Sequence, residues 1–262
     1  MPIGVQPASL KYGTAQVRIY PSREALGAAA AADAARIITE AVRERGRARI
    51  IVATGNSQLD MIHALVEIPN VPWKSVEVFH LDEYVGMPDT HPSSFRLWLK
   101  NRIEDKVHPG AMQYMRGDAP DIHTEIERYT KLLNEATNDL AFVGFGENGH
   151  IAFNDPHVAD FADPATVKQV VMDDASRRQQ SGEGHFKTPG DVPHSSLTVT
   201  CSALMRARAW ICSVPELRKA EAVRDALEGP IATTCPSSIV RTHPNATVYL
   251  DTESASLLRH NC

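Results

Sequence analysis

The chain has 262 residues, 43% hydrophobic and 23% charged, with a formal net charge of -5. That length is enough to bury a substantial core, and the composition excludes a mainly disordered chain, a collagen-like fibre or a low-complexity sequence. The mild acidity provides no broad basic field, so nucleic-acid binding through phosphate neutralisation is not expected, while a local site for a small anion stays open.

In chain order, Met1 to Tyr12 lacks a basic region followed by an apolar one, and cytoplasmic residence is the default expectation. Val17 to Tyr20 reads as a short strand, and a long helix runs from there to about Arg45, with Ser22 as N-cap and Gly46 as stop. Its Ala25 to Ala35 stretch is broken by Gly27 and Asp33 and falls short of the roughly 20 apolar residues a membrane span needs, so no membrane association is expected. Ala48 to Ala53 is a continuous apolar strand, followed by Thr54-Gly55-Asn56-Ser57 and a helix from Leu59 to Val66. Further strands are expected at Val76 to Leu81, Leu140 to Phe145, Val167 to Met172, Ala209 to Val214 and Ala246 to Leu250. Helices are expected at Ser93 to Ile103, Ile122 to Leu133 and Leu217 to Leu227.

This alternation with fully apolar strands predicts an α/β fold whose mainly parallel sheet carries helices on both faces. No repeat or linker divides the chain, so 1–262 reads as one domain. Ser176 to His194, with Gly182, Gly184, Pro189, Gly190 and Pro193, reads as a long irregular loop too polar to pack as core. Ligands of open α/β sheets bind beyond the carboxyl ends of the strands, so the loops after Ala53, Leu81, Phe145 and Val214 are expected to share one rim. Cys201, Cys212, Cys235 and Cys262 are widely spaced, without a CxxC pair, and read as free thiols.

Three strings on that rim carry chemistry. Thr54-Gly55-Asn56-Ser57 places backbone amides and two hydroxyls at a helix N-terminus, which suits a phosphate, although a plain turn with a Ser cap explains it equally well. In Phe79-His80-Leu81-Asp82-Glu83-Tyr84, consecutive residues point to opposite sides, so one of the two carboxylates faces a ligand. Asp82 is the better candidate for a base, and His80 reads as a satisfied core or rim histidine. Gly144-Phe145-Gly146-Glu147-Asn148-Gly149-His150, ending at Asp155-Pro156, combines glycines that permit close backbone approach with a histidine that shuttles protons and a carboxylate to orient it.

LDEYVGMPDTHPSSF and GFGENGHIAFNDP together resemble the glucosamine-6-phosphate deaminase (isomerase) family, within the wider group that includes 6-phosphogluconolactonase, and the resemblance runs from about Arg49 to Asp251. It implies a Rossmann-like three-layer α/β sandwich without a metal or organic cofactor. It also implies an enzyme that converts an amino-sugar phosphate, glucosamine 6-phosphate or an epimer, to the ketose 6-phosphate with release of ammonia.

By the same resemblance Asp82 is the base that moves a proton between C1 and C2, and His150 opens the pyranose ring. Asp155 stands where the family has a supporting glutamate, and Asn148 where some members have aspartate. Lys219, Thr54, Gly55 and Ser57 match the phosphate contacts, and Glu83 and Gly149 complete the expected substrate-binding set. The family's phosphate-site arginine has no counterpart at Gln180 to Gly184, leaving Arg177, Arg178 or Lys187 as substitutes. Pro156 to Asp163 lacks the hydroxyl and basic residues of allosterically activated members, so that regulation is not expected. A homo-oligomer is left open. The alternatives are a sugar lactonase, whose family string runs on differently after the histidine, and a sugar-phosphate sensor without turnover.

Overall fold

The computed structural model describes residues 8–184 and 186–259. β1 (Ala8–Tyr12) and β2 (Ala15–Tyr20) form a hairpin that leads into α1 (Arg23–Arg45). The Ser22 side chain accepts from the Ala25 amide at 3.2 Å, and Gly46 ends the helix in the left-handed region at φ 75, which are the expected start and stop. β3 (Ala48–Val52), α2 (Leu59–Glu67) and β4 (Val76–His80) follow, then β5 (Asp82–Tyr84). The helix expected over Ser93 to Ile103 is realised as α3 (Phe95–Leu99), a π-helical turn over Lys100–Glu104 and α4 (Asp105–Val107). The chain continues through β6 (Ala111–Gln113), α5 (Ile122–Asn134) and β7 (Leu140–Val143). After β8 (Val167–Val171), α6 (Asp174–Gly182), β9 (Ser195–Val199) and α7 (Cys201–Leu204), it closes with β10 (Trp210–Val214), α8 (Ala220–Glu228) and β11 (Ala246–Asp251).

Eight strands form one sheet in the order β1-β2-β11-β10-β7-β3-β4-β6, parallel throughout except for the terminal hairpin. Alternate residues of its strands feed opposite faces. Ile50, Phe142 and Ile211 pack with α1, α2 and α3, while Ile51, Ala141 and Cys212 pack with α5, α7 and α8. The three-layer sandwich is therefore present, with apolar packing on both sides of the sheet.

Two expectations are corrected. Val167 to Met172 does not extend the parallel sheet: β8 joins β5 and β9 in a separate three-stranded antiparallel sheet. Its polar Lys168 and Gln169 suit a half-solvated strand rather than one covered on both faces. Ser176 to His194 is not wholly irregular either, because α6 occupies Asp174–Gly182 and a 3-10 turn spans Pro189–Asp191. Asp173 caps α6 by accepting from the Ser176 amide at 2.6 Å.

Cys201, Cys212 and Cys235 are free thiols, and Cys262 lies outside the described residues. No helix among the described residues is long and apolar enough to cross a membrane.

A buried cation ties the sheet to α5. Arg49 in β3 is 2% exposed, its Nε donates to Glu77 at 2.8 Å, its other nitrogens donate to the carbonyls of Leu132, Leu133 and Ala136, and its guanidinium lies 4.7 Å from the Phe79 ring centroid. Arg49→Ala is expected to lower the unfolding free energy by about 3–5 kcal/mol, because it leaves buried acceptors unpaired. Arg49→Lys should recover only part of that, since an ammonium cannot reproduce the planar fork. Urea denaturation of the three proteins measures both, and a loss below about 1 kcal/mol for the alanine variant would reject the clamp.

Candidate active site

From β3 the chain moves outward to β4 and β6, then returns past β3 to β7, so successive units leave the β3–β7 pair in opposite directions. Such a reversal opens a crevice at the carboxyl ends of the strands. A cleft lies there, lined by residues that include Thr54, Gly55, Ser57, Asp82, His150 and Lys219.

Asp82 and its neighbour are both buried, and their surroundings set them apart. The Glu83 carboxylate accepts from the Ser94 hydroxyl at 2.8 Å and from the backbone amides of Tyr84, Phe95 and Arg96 at 3.0, 3.3 and 3.1 Å, so it caps α3 and does not reach the cleft. Placing Glu83 among the substrate contacts is therefore corrected: the strand pleat that sends Asp82 to the cleft sends Glu83 into the helix terminus. Asp82 lines the cleft. Burial, and then the adjacent charge of Glu83, push its carboxyl well above the ordinary carboxylate range, with no hydrogen bond from the described residues to hold it down. Burial also raises Glu83, against the opposing effect of its four donors. His80 is a structural histidine: Nδ1 donates to the Asp82 carbonyl at 2.8 Å, Nε2 accepts from the Met115 amide at 2.8 Å, and burial drops its pKa to about 3.

His150 also lines the cleft. Its ring packs so closely on Gly146 that a Cβ there would overlap the imidazole. Nδ1 faces Asn148 Oδ1 at 2.7 Å, Ser176 Oγ at 3.0 Å and Asp155 Oδ1 at 3.2 Å. Asp155 has no exposed surface. It collects donors from Asn148 Nδ2 at 3.1 Å, the Asp173 amide at 3.2 Å and the Ser176 hydroxyl. Burial alone would raise its pKa, but the hydrogen bond and charge of His150, with those of Ser176 and Asn148, hold it at about 2. Asp155 and Asn148 thus act behind the histidine rather than on the cleft wall. Gly149, expected to touch substrate, is not among the residues lining the cleft; its φ of 80 is left-handed, and a Cβ there would meet the Cys235 sulfur.

The loop after β3 and the turn before α8 supply further residues of the cleft lining. Gln58 is fully buried and donates to the carbonyls of Val143 and Ser213 at 3.4 and 3.2 Å, while the Ser213 hydroxyl donates to the Ser57 carbonyl at 2.9 Å. These bonds fix the Thr54 to Ser57 loop onto the ends of β7 and β10. Lys219 is 2% exposed, and it follows Glu216, a non-glycine residue at φ 83 whose backbone N–H donates to the Asp251 carboxylate at 2.9 Å. Burial lowers the lysine's pKa, opposed by Glu183, whose carboxylate lies 3.8 Å from its Nζ.

Neither Arg177 nor Arg178 nor Lys187 lines the cleft; Arg177 donates instead to the carbonyls of Pro189 and Val192 at 2.8 and 3.3 Å. Gln179, Gln180 and Glu183 of the α6 region occupy that wall. Gln180 is fixed by the Tyr84 hydroxyl, which donates to its Oε1 at 2.6 Å. These residues, with Asp173 and Ser176, were missed because the segment reads as polar loop, although the Asp-Asp-x-Ser string is a helix-start signal. Asp155, His157 and Asp173 bring ligand atoms within 4.8 Å of one another, but Asn148, Ser176 and backbone amides already engage those carboxylates.

Residues 21–249 match the model of the glucosamine-6-phosphate isomerases/6-phosphogluconolactonase family. A glucosamine-6-phosphate deaminase of Arthrobacter sp. is 34% identical over 250 residues, covering 93% of this chain and 93% of that protein. The one from Pseudarthrobacter chlorophenolicus is 33% identical, covering 86% and 87%. A solved structure described as a monomeric glucosamine-6-phosphate deaminase superposes with a TM-score of 0.84 at 27% identity, over 92% of this chain and 99% of the other. The 6-phosphogluconolactonase of Trypanosoma brucei shares the fold at a TM-score of 0.77 and 15% identity, over 96% and 100%. The chain belongs to the glucosamine-6-phosphate isomerase/6-phosphogluconolactonase family.

Proposed function

We propose that the chain is a deaminase of amino-sugar phosphates that turns glucosamine 6-phosphate, or an epimer, into the ketose 6-phosphate and ammonia. The observation that carries the reading is the placement of a buried carboxylate, Asp82, without a donor among the described residues, in the same cleft as a carboxylate-backed histidine, His150, the Thr54–Ser57 loop and Lys219. A lactone hydrolysis needs no carbon base, whereas an aldose–ketose shift does.

In this reading Nε2 of His150 takes the anomeric hydroxyl proton and returns it to the ring oxygen as the C1–O5 bond breaks. The Asp82 carboxylate then carries the C2 proton to C1 through a 1,2-enolamine, as a second proton passes from the C2 nitrogen to the C1 oxygen. The resulting C2 imine is hydrolysed to the ketone and ammonia. The amides of the Thr54–Ser57 loop and the Lys219 ammonium hold the phosphate, displacing Glu183 from the lysine. The deciding assay follows ammonia and ketose 6-phosphate together over a panel of hexosamine 6-phosphates, and ligand binding without either product would favour a sensor.

Asp82→Asn should abolish turnover and leave binding of a hexitol 6-phosphate nearly unchanged, because the amide keeps the shape and cannot accept a proton. The base form of Asp82 grows as pH rises through its raised pKa, so the acid limb of kcat/KM should lie above the ordinary aspartate value of about 4. Near-native turnover in the variant, or an acid limb at or below that value, would remove Asp82 from the role.

Lys219→Ala should weaken phosphorylated ligands by about 1.5–3 kcal/mol, mainly through KM, since the phosphate is held alike in ground and transition states. Inhibition by a hexitol 6-phosphate and by the free hexitol, compared in both proteins, tests this. Unchanged selectivity for the phosphorylated inhibitor would place the phosphate elsewhere.

A further inference from the structure

We propose that Asp173 and Ser176, at the start of α6, are positioning residues that lock the Asn148 carboxamide and, through it, the imidazole tautomer of His150. The kinetic consequence rests on the deaminase reading of His150, while the tautomer itself does not.

A carboxamide has one donating end and one accepting end, and here its surroundings choose between them. Asn148 Nδ2 lies 3.1 Å from Asp155 Oδ1 and 3.1 Å from Asp173 Oδ2. A flipped amide would set its oxygen against two carboxylates, so Oδ1 must face the histidine, where it accepts from the His150 amide at 3.1 Å and from Nδ1 at 2.7 Å. An oxygen without a proton requires Nδ1 to carry one. Ser176 adds to this, because its hydroxyl donates to Asp155 and turns a lone pair toward Nδ1 at 3.0 Å. Nδ1 therefore remains protonated and Nε2, on the other edge of the ring, is left bare as the proton acceptor.

Asp173 also restores the charge that an amide at position 148 does not supply. Its carboxylate sits one hydrogen bond behind Asn148. It stands behind the amide as a second carboxylate, in addition to Asp155 at 3.2 Å from Nδ1. Because Asp173 is also the α6 cap, its replacement must keep an oxygen for the Ser176 amide, and serine does so.

The test compares Asp173→Ser, Asn148→Asp and the double variant with the wild-type protein. Each single change should lower kcat for glucosamine 6-phosphate by about tenfold, a part of the hundredfold or more that a positioned acid–base supplies, with KM within about twofold. Asn148→Asp fails by crowding three carboxylates, and removing Asp173 relieves this, so the double variant should return to within about threefold of wild type. Independent losses that multiply in the double variant would overturn the proposal. Imidazole ¹⁵N spectra without ligand should show the His150 Nδ1–H tautomer in wild type and loss of its dominance in Asp173→Ser. An unaltered tautomer in that variant would also overturn it, leaving Asp173 a helix cap. The spectra need no substrate, so wild-type protein that releases no ammonia would count against the deaminase reading and leave the tautomer result standing.

Discussion

A buried carboxylate anchors the catalytic half of the molecule. Asp155 has no contact with water, and an unpaired charge so placed would be strongly unfavourable. It is tolerated because Asn148, Ser176, His150 and the Asp173 amide all turn donors toward it. Those partners come from two stretches, the loop after β7 and the cap and first turn of α6. One desolvated charge thus dictates how these two segments meet, and the imidazole takes its place from that meeting.

The same principle, applied in the opposite sense, distinguishes Asp82 from Glu83. Glu83 has four donors and is fixed as part of a helix terminus. Asp82 has burial without donors among the described residues, which favours the protonated form. Two adjacent carboxylates of nearly equal intrinsic acidity acquire separate tasks from the pleat of one short strand.

Much of this was legible in the chain. The apolar runs at Ala48 to Ala53 and Leu140 to Phe145 marked fully covered strands, and Ser22 and Gly46 marked both ends of α1. Asp82, His150, Thr54, Gly55, Ser57 and Lys219 meet in the cleft because strand ends of a parallel sheet share one rim. What was hidden depends on pairing across long separations. The antiparallel β5-β9-β8 sheet has short, mixed-polarity strands whose partners no local pattern reveals. α6 escaped notice because its buried face meets polar groups, so Ser176 and Gln180 lie where hydrophobic periodicity would look for apolar residues. Glu83 and Gly149 sit in the right strings, but strand pleat and backbone turn direct them elsewhere, which composition cannot show.

Glu183 stands between two cations, with Arg218 Nη1 at 2.9 Å and Lys219 Nζ at 3.8 Å. In the proposed deaminase an arriving phosphate would replace one anionic partner of the lysine with another, so binding there would be an exchange of counter-ions rather than a capture. The displaced carboxylate would keep Arg218 as its partner, so neither the entry nor the exit of an anion would leave a buried charge stranded.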